Sequence, residues 1–302
     1  MQKSAFIAIV GRPNVGKSSI LNAVIGQKVA IVSNKPQTTR TRIMGVLTEG
    51  DDQLVFIDTP GMHKPKTSLG KYMVRSVNES VSGVDACLLV TEADREPTQT
   101  ELMLIEKFKS LDLPAILAIN KIDTLKNKEV LMAQILKYSK LYDFAAIVPV
   151  SAHDGDGIKE LKEALKEFAM EGGHFFEEDA LTDQSERNLA AEMIREKILR
   201  LTDREIPHGT AVVVEKMRTR DDGSDIMDVD ATIYCEKDIH KGIIIGKGGS
   251  MLKKISSQAR QDMENFFDCK VNLQTWVKVK EDWRNREGLL KSFGFDKSDF
   301  DR

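Results

Sequence analysis

The stretch Gly11-Arg12-Pro13-Asn14-Val15-Gly16-Lys17-Ser18-Ser19 limits what this chain can fold into more than any other. It reads G-x-x-x-x-G-K-S. Phe6–Val10, just before it, is a short apolar run rich in β-branched residues. Ser19–Ile25, just after it, has helical spacing of apolar residues and a stop at Gly26. Strand, glycine loop and helix together are the context of a phosphate-binding P-loop. Backbone N–H groups of such a loop point inward at phosphate oxygens, and the helix N-terminus adds partial positive charge. Lys17 is expected to reach the β- and γ-phosphates, and the Ser18 hydroxyl to ligate Mg²⁺.

Further motifs follow at strand ends. A polar, proline-marked loop, Ser33–Arg42, carries Thr38 and Thr39, either of which can supply a threonine ligand to Mg²⁺. Arg42–Thr48 and Gln53–Ile57 alternate around Glu49–Asp52, a hairpin signal. The second strand ends in Asp58-Thr59-Pro60-Gly61, where a carboxylate followed by a glycine suits metal-water binding beside a γ-phosphate sensor. Asp85–Glu92 and Leu113–Asn120 read as buried strands around a helix at Thr98–Leu111. The latter strand ends in Asn120-Lys121-Ile122-Asp123. A carboxylate at Asp123 can accept from both N1–H and N2–H₂ of guanine, a pattern adenine lacks. Charge-assisted bonds of that kind contribute about 1.5–3 kcal/mol each. Helix Lys128–Leu141 and strand Ala146–Val150 lead to Ser151-Ala152, a pair suited to a loop whose backbone amide meets guanine O6. Helix Ile158–Glu171 closes the unit. Strands alternating with helices, plus one hairpin, predict an α/β fold with a mostly parallel sheet and a ligand at the strands' C-terminal ends.

The length of 302 residues suggests two domains. Gly172-Gly173 and the acidic run Glu177-Glu178-Asp179 mark the break, which gives domains at 1–172 and 185–302 with a linker at 173–184. Ser185-Glu186-Arg187 opens a long helix to about Asp203, and strands at Thr210–Met217 and Met227–Tyr234 follow. Then comes Ile243-Ile244-Ile245-Gly246-Lys247-Gly248-Gly249, a G-x-x-G turn between apolar helices. From His240 to Arg260 the charged side chains are Lys241, Lys247, Lys253, Lys254 and Arg260, with no acid among them. A glycine loop permits close approach of a nucleic-acid backbone, and the apolar residues behind it, Ile245 among them, form a groove for unstacked bases. The second helix runs to about Phe267, and Lys270–Val279 alternates as a last strand.

Net charge is −3, so nucleic-acid binding must come from this local patch and not from a global basic excess. Cys87, Cys235 and Cys269 show neither zinc spacing nor a disulfide framework and fit a reducing cytosol. The chain enters a strand at once, without a signal peptide, and its apolar runs are too short to span a bilayer.

The first 170 or so residues resemble the translation-factor-like GTPases. The helix, strand, strand, helix, loop, helix, strand order of the second part resembles a type II KH domain. A GTPase domain followed by such a domain is similar to the Era GTPase family. Pro36–Arg40, Ile206-Pro207-His208 and Val277–Val279 leading to Trp283-Arg284 are further matches.

The resemblance implies GTP hydrolysis and binding of single-stranded RNA near the 3′ end of small-subunit (16S) ribosomal RNA. It also implies a role in small-subunit assembly and loose association with the inner face of the cell membrane. Lys17, Thr39 and Gly61 are the expected catalytic groups, with Thr38 as the rival for Thr39, and Ser18, Thr39 and Asp58 the expected metal ligands. Met62 stands where Ras-like enzymes carry a water-orienting glutamine, so catalysis is expected to rest on positioning and charge. Asn14 matches relatives in which K⁺ assists hydrolysis, although a loop Asn can equally bond its own backbone. The alternatives are a regulatory GTPase at a membrane surface and the GTPase of a tRNA-modification system.

Overall fold

The computed structural model describes residues 1–35, 38–60, 67–69, 73, 80–81 and 83–295. Pro36, Gln37, Gly61 and Met62 lie outside the described residues.

The first unit is an α/β layer fold. Its elements are β1 (Lys3–Val10), α1 (Lys17–Ile25), β2 (Ile43–Glu49), β3 (Asp52–Asp58), β4 (Ala86–Glu92), α2 (Gln99–Leu111), β5 (Ala115–Asn120), α3 (Lys128–Ser139), β6 (Ala146–Pro149), α4 (Ile158–Lys166) and β7 (Met170–Glu171). The sheet order is β2-β3-β1-β4-β5-β6. All of these pairings are parallel except β2 with β3, the expected hairpin. Every residue of β4 and β5 is buried, as strands covered on both faces must be. The ends of β1, β3, β4 and β5 therefore deliver the loops at 11–16, 58–60, 92–98 and 120–123 to one edge of the sheet.

The helix expected over Ile158–Glu171 stops early. Helix α4 ends at Lys166, and Met170–Glu171 form β7, antiparallel to Ser4 and Lys3. The β1–β4 register begins only at Ile7, so the first residues of β1 have a free edge that β7 fills. The stretch expected as a linker continues along this unit. Gln53 Oε1 accepts from Phe175 N and Phe176 N, the Phe175 ring meets Phe6 edge-on, and Val46 N donates to Leu181 O. The chain passes from the first unit to the second at Asp183/Gln184.

The second unit contains α5 (Glu186–Leu201), β8 (Ala211–Thr219), β9 (Ile226–Cys235), α6 (Asp238–Ile245), α7 (Ser250–Phe267), β10 (Lys270–Val279) and α8 (Glu287–Ser292). Its sheet runs β10-β9-β8, with β9 and β10 parallel and β8 antiparallel. Alternate residues of β9, Val229, Ala231 and Ile233, face a core shared with Ile194 and Ile198 of α5 and with Ile255 and Ala259 of α7. The parallel β9–β10 pair requires a crossover, which α6 and α7 provide with the glycine loop between them.

Residues 31–38 also group with this unit. The buried Glu196 accepts from Val32 N at 2.9 Å, and Arg200 donates to Val32 O at 2.9 and 3.1 Å. Arg195 donates to Thr38 O, and Lys35 to Thr202 O and Asp203.

Trp283 is fully buried, donates from Nε1 to Gly209 O at 2.9 Å, and meets Phe293 and Phe295. Trp283→Ala should destabilise the second unit by about 3–5 kcal/mol. Trp283→Phe should cost less but still leave the Gly209 carbonyl without this donor, at about 1–3 kcal/mol. Urea unfolding followed by circular dichroism measures both.

Candidate nucleotide site and RNA surface

The phosphate loop begins where β1 ends. Gly16 has φ 98°, and a Cβ there would lie 2.2 Å from Asn120 Nδ2. That gap lets Asn120 Nδ2 donate to Val15 O at 2.8 Å, while its Oδ1 accepts from Ala152 N at 3.2 Å. One buried amide thus joins the phosphate loop, the N-K-x-D loop and the Ser151-Ala152 loop. Lys17 is buried, with Nζ 3.2 Å from Gly11 O and 3.0 Å from Arg12 O. Desolvation lowers its pKa to about 8, against the pull of Asp58. A phosphate arriving beside it restores the charged form.

Three hard oxygens converge next to it. Ser18 Oγ is 2.6 Å from Asp58 Oδ2 and 2.9 Å from Thr39 Oγ1, and Thr39 Oγ1 is 3.3 Å from the same carboxylate oxygen. Asp58 is fully buried, and burial raises its pKa. Among the described residues its Oδ1 has no hydrogen-bond partner. An orphaned carboxylate oxygen beside two hydroxyls fits a small hard cation. Among the described residues no three His, Cys, Asp or Glu side chains gather round a point. Mg²⁺ keeps several waters and takes further ligands from phosphate, so two hydroxyls and one carboxylate are enough protein ligands for it. Thr38, the rival threonine, is turned elsewhere and donates to Lys35 O at 2.6 Å. The buried Thr59 donates to Ile9 O at 2.9 Å, which anchors the start of the Asp58-Thr59-Pro60 turn to β1.

The guanine loop is set by a left-handed residue. Lys121 has φ 65°, and its Nζ donates to Asn14 O at 2.9 Å across the phosphate loop. The Asp123 side chain is exposed and is oriented by Ser151 Oγ, which donates to Oδ1 at 2.7 Å. Ile122 turns the other way and packs on the core. Pro13 is half-buried, Val15 is buried in the core, and Ser19 lies half-buried on α1.

Two acids hold Arg12, and no motif announces that role. Glu92 accepts from Arg12 Nη2 at 2.8 Å and from Lys121, and Glu101 accepts from Arg12 Nε at 3.1 Å. Burial pushes the Glu92 carboxyl up, but the bonds from Lys121 and Arg12 outweigh it and hold the pKa below the usual range. For Glu92 the sequence signal was an acid at the end of a mostly apolar strand, and for Glu101 the Thr98-x-x-Glu101 capping pattern, which does not point to Arg12.

In the second unit the loop at Gly246–Gly249 joins α6 to α7. Gly248 and Gly249 have φ 59° and 79°, and no described atom lies within 4 Å of where their Cβ atoms would be. That open backbone is what a sugar-phosphate chain needs. Lys247, Lys253, Lys254 and Arg260 are exposed, Lys241 is half-exposed, and Ile245 packs on the core while Ile243 remains 45% exposed at the loop. Arg260 is tempered by Glu264, 3.6 Å away and just beyond the acid-free stretch.

Comparison with known proteins agrees with both units. A profile described as 50S ribosome-binding GTPase matches residues 6–121, and a KH-domain profile matches residues 205–284. GTPase Era of Ruminiclostridium cellulolyticum is 52% identical over 97% of both chains. That of Clostridium kluyveri is 48% identical over 98% of this chain and 100% of its own. The chain belongs to the Era GTPase family.

An Aquifex aeolicus Era variant bound to GDP.AlF4⁻ superimposes with a TM-score of 0.92 at 37% identity, over 97% of this chain and 99% of its own. Era in complex with MgGDPNP and nucleotides 1506–1542 of 16S ribosomal RNA also gives 0.92 at 37%, over 98% and 99%. As a family member the chain is a GTPase that converts GTP to GDP and phosphate, with Mg²⁺.

Asp123→Asn replaces a double acceptor with an amide that can donate to a C2 carbonyl. The guanine preference of such a site, roughly 10⁴-fold, should turn toward xanthine. Competition of GDP and xanthosine diphosphate against a fluorescent nucleotide checks it, and an unchanged preference would rule out this role for Asp123.

Proposed function

We propose that the chain is a GTP-driven switch that binds single-stranded RNA near the 3′ end of 16S ribosomal RNA and assists assembly of the small ribosomal subunit. A guanine-nucleotide site and an open, basic glycine loop in one chain carry this reading. Support comes from a relative of the same fold that holds both MgGDPNP and 16S nucleotides.

In the nucleotide site, Gly11–Ser19 cradle the phosphates, and Lys17 neutralises charge on the β- and γ-phosphates. Ser18, Thr39 and Asp58 hold Mg²⁺, which polarises the γ-phosphoryl group when bound. Asn120, Lys121, Asp123, Ser151 and Ala152 recognise guanine. Gly61 N–H is assigned to the γ-phosphate, and Met62, next in sequence, has a thioether that cannot orient water. K⁺ at Asn14 belongs to the same proposal. Its support is the place of Asn14 in the phosphate loop, which matches relatives that use K⁺. In the second domain, Lys241, Ile245, Gly246, Lys247, Gly248, Gly249, Lys253, Lys254 and Arg260 form the RNA surface. We place the protein in the cytoplasm with peripheral contact to the inner membrane face. No described helix is long and apolar enough to cross a membrane.

The tRNA-modification alternative would call for a reactive cysteine. Cys87 is buried, and desolvation pushes its pKa up to about 12, while burial also raises Cys235. Desolvation, with the nearby acids Asp225 and Asp268, raises the pKa of Cys269 as well, so none of the three is a thiolate near neutral pH.

Changing Lys247 and Gly248 both to Asp should lower affinity for a 16S 3′-end RNA by at least about tenfold. The salt dependence should flatten by about 0.7 in log–log slope for each phosphate that the variant no longer neutralises. GDP affinity should not change. RNA titrations at two salt concentrations test this, and unchanged RNA affinity in the folded variant would remove the glycine loop from the RNA surface.

A further inference from the structure

The phosphate loop and the guanine loop lie far apart in sequence, yet a single carboxylate grips both. Glu92, at the C-terminal end of β4, is 8% exposed. Its Oε2 accepts from Arg12 Nη2 at 2.8 Å, and its Oε1 accepts from Lys121 Nζ. Arg12 is the second residue of the phosphate loop, and Lys121 is the second of N-K-x-D. Lys121 Nζ also donates to Asn14 O at 2.9 Å, so the lysine lies against the phosphate loop itself.

The arginine is fixed from a second side. Glu101, 1% exposed on α2, accepts from Arg12 Nε at 3.1 Å with Oε1. Its other oxygen accepts from Thr98 N at 2.6 Å and Thr98 Oγ1 at 2.8 Å, which caps the helix and locks the carboxylate in place. Arg12 is therefore held to the strand end and to the helix at once. Among the described residues, both hydrogen-bond partners of its guanidinium are these carboxylates. Such half-buried charges tolerate burial only while paired. Removing the shared carboxylate leaves Arg12 paired with Glu101 alone and Lys121, 40% exposed, without its only carboxylate among the described contacts, so nothing charged then links the two loops.

We propose that Glu92 is a positioning residue for the guanine nucleotide: by bridging Arg12 and Lys121 it fixes the phosphate loop and the guanine loop in one register, so that base and phosphates bind as a single unit. Two subsites held at a fixed separation bind a linked ligand far better than two that drift, because the second contact is then intramolecular. The effect falls on binding in the ground and transition states alike, since neither Arg12 nor Lys121 carries the attacking water. This inference rests on the GTP reading of the site.

The test is nucleotide binding and single-turnover hydrolysis by full-length Glu92→Gln, with thermal melting of the nucleotide-free protein. GDP and GTP affinities should fall together by about tenfold, while the hydrolysis rate at saturation stays within about twofold. Glu92→Asp keeps the charge but is one methylene shorter and reaches one cation, not both, so it should lose a similar factor and serves if the Gln variant does not fold.

Arg95→Gln is the control. Arg95 also pairs with Glu92, at 3.2 Å, but is 61% exposed, and its loss should leave both affinities unchanged. In a double-mutant cycle with Arg12→Gln, Glu92→Gln should cost markedly less than in the wild type. Additive losses would overturn the bridge, as would wild-type affinity in either Glu92 variant or a fall in the saturated rate without loss of affinity. A wild type without guanine preference would instead overturn the GTP reading.

Discussion

The hydrogen bond from Asn120 to the Val15 carbonyl passes through the space that Gly16 leaves by having no side chain. Much of the nucleotide site depends on it. Asn120 sits at the end of β5, in a wholly buried stretch, so its position is set by the parallel sheet. Val15 sits in the phosphate loop with its side chain in the core. The bond ties the sheet edge to the loop, and the same amide receives Ala152 N. An alanine at Gly16 would both strain a φ of 98° and displace this amide. Around that fixed point Lys17, Ser18 and Asp58 form a buried cluster of mixed charge that a phosphate and a cation complete.

Much of this was legible in the sequence, for a physical reason. Motifs such as Gly11–Ser18 and Asn120–Asp123 encode local backbone geometry, and their flanking apolar runs encode the strands that present them. Thr39 could not be separated from Thr38 by spacing, because adjacent residues in a loop have no periodicity. In the structure Thr38 bonds to Lys35 O and Thr39 stands beside Ser18 and Asp58. Glu92 and Glu101 were illegible because their partner, Arg12, is 80 and 89 residues away in sequence. Met170–Glu171 continued a helical pattern in sequence but became a strand. The open edge of β1 decided that, and only the β1–β4 register reveals it.

The grouping of residues 31–38 with the second unit bears on how a switch would work. The buried Glu196 and Arg200 grip the Val32 peptide, and Arg195 grips the Thr38 carbonyl, all from helix α5. One residue later the chain is at Thr39, which groups with the first unit. A ligand that fixes Thr39 therefore acts one residue from the carbonyl that Arg195 holds. Coupling of this kind is reciprocal in free energy, typically about 1–3 kcal/mol.

The central claim, that guanine-nucleotide state and RNA binding are coupled in this chain, is tested most directly by one thermodynamic measurement. Affinity for a 16S 3′-end RNA is measured with the full-length protein saturated with GDP and again with a non-hydrolysable GTP analogue, both with Mg²⁺. The account predicts tighter RNA binding with the analogue by at least about fivefold, and the same factor when analogue and GDP affinities are compared with and without RNA. Equal RNA affinities in the two nucleotide states would contradict it.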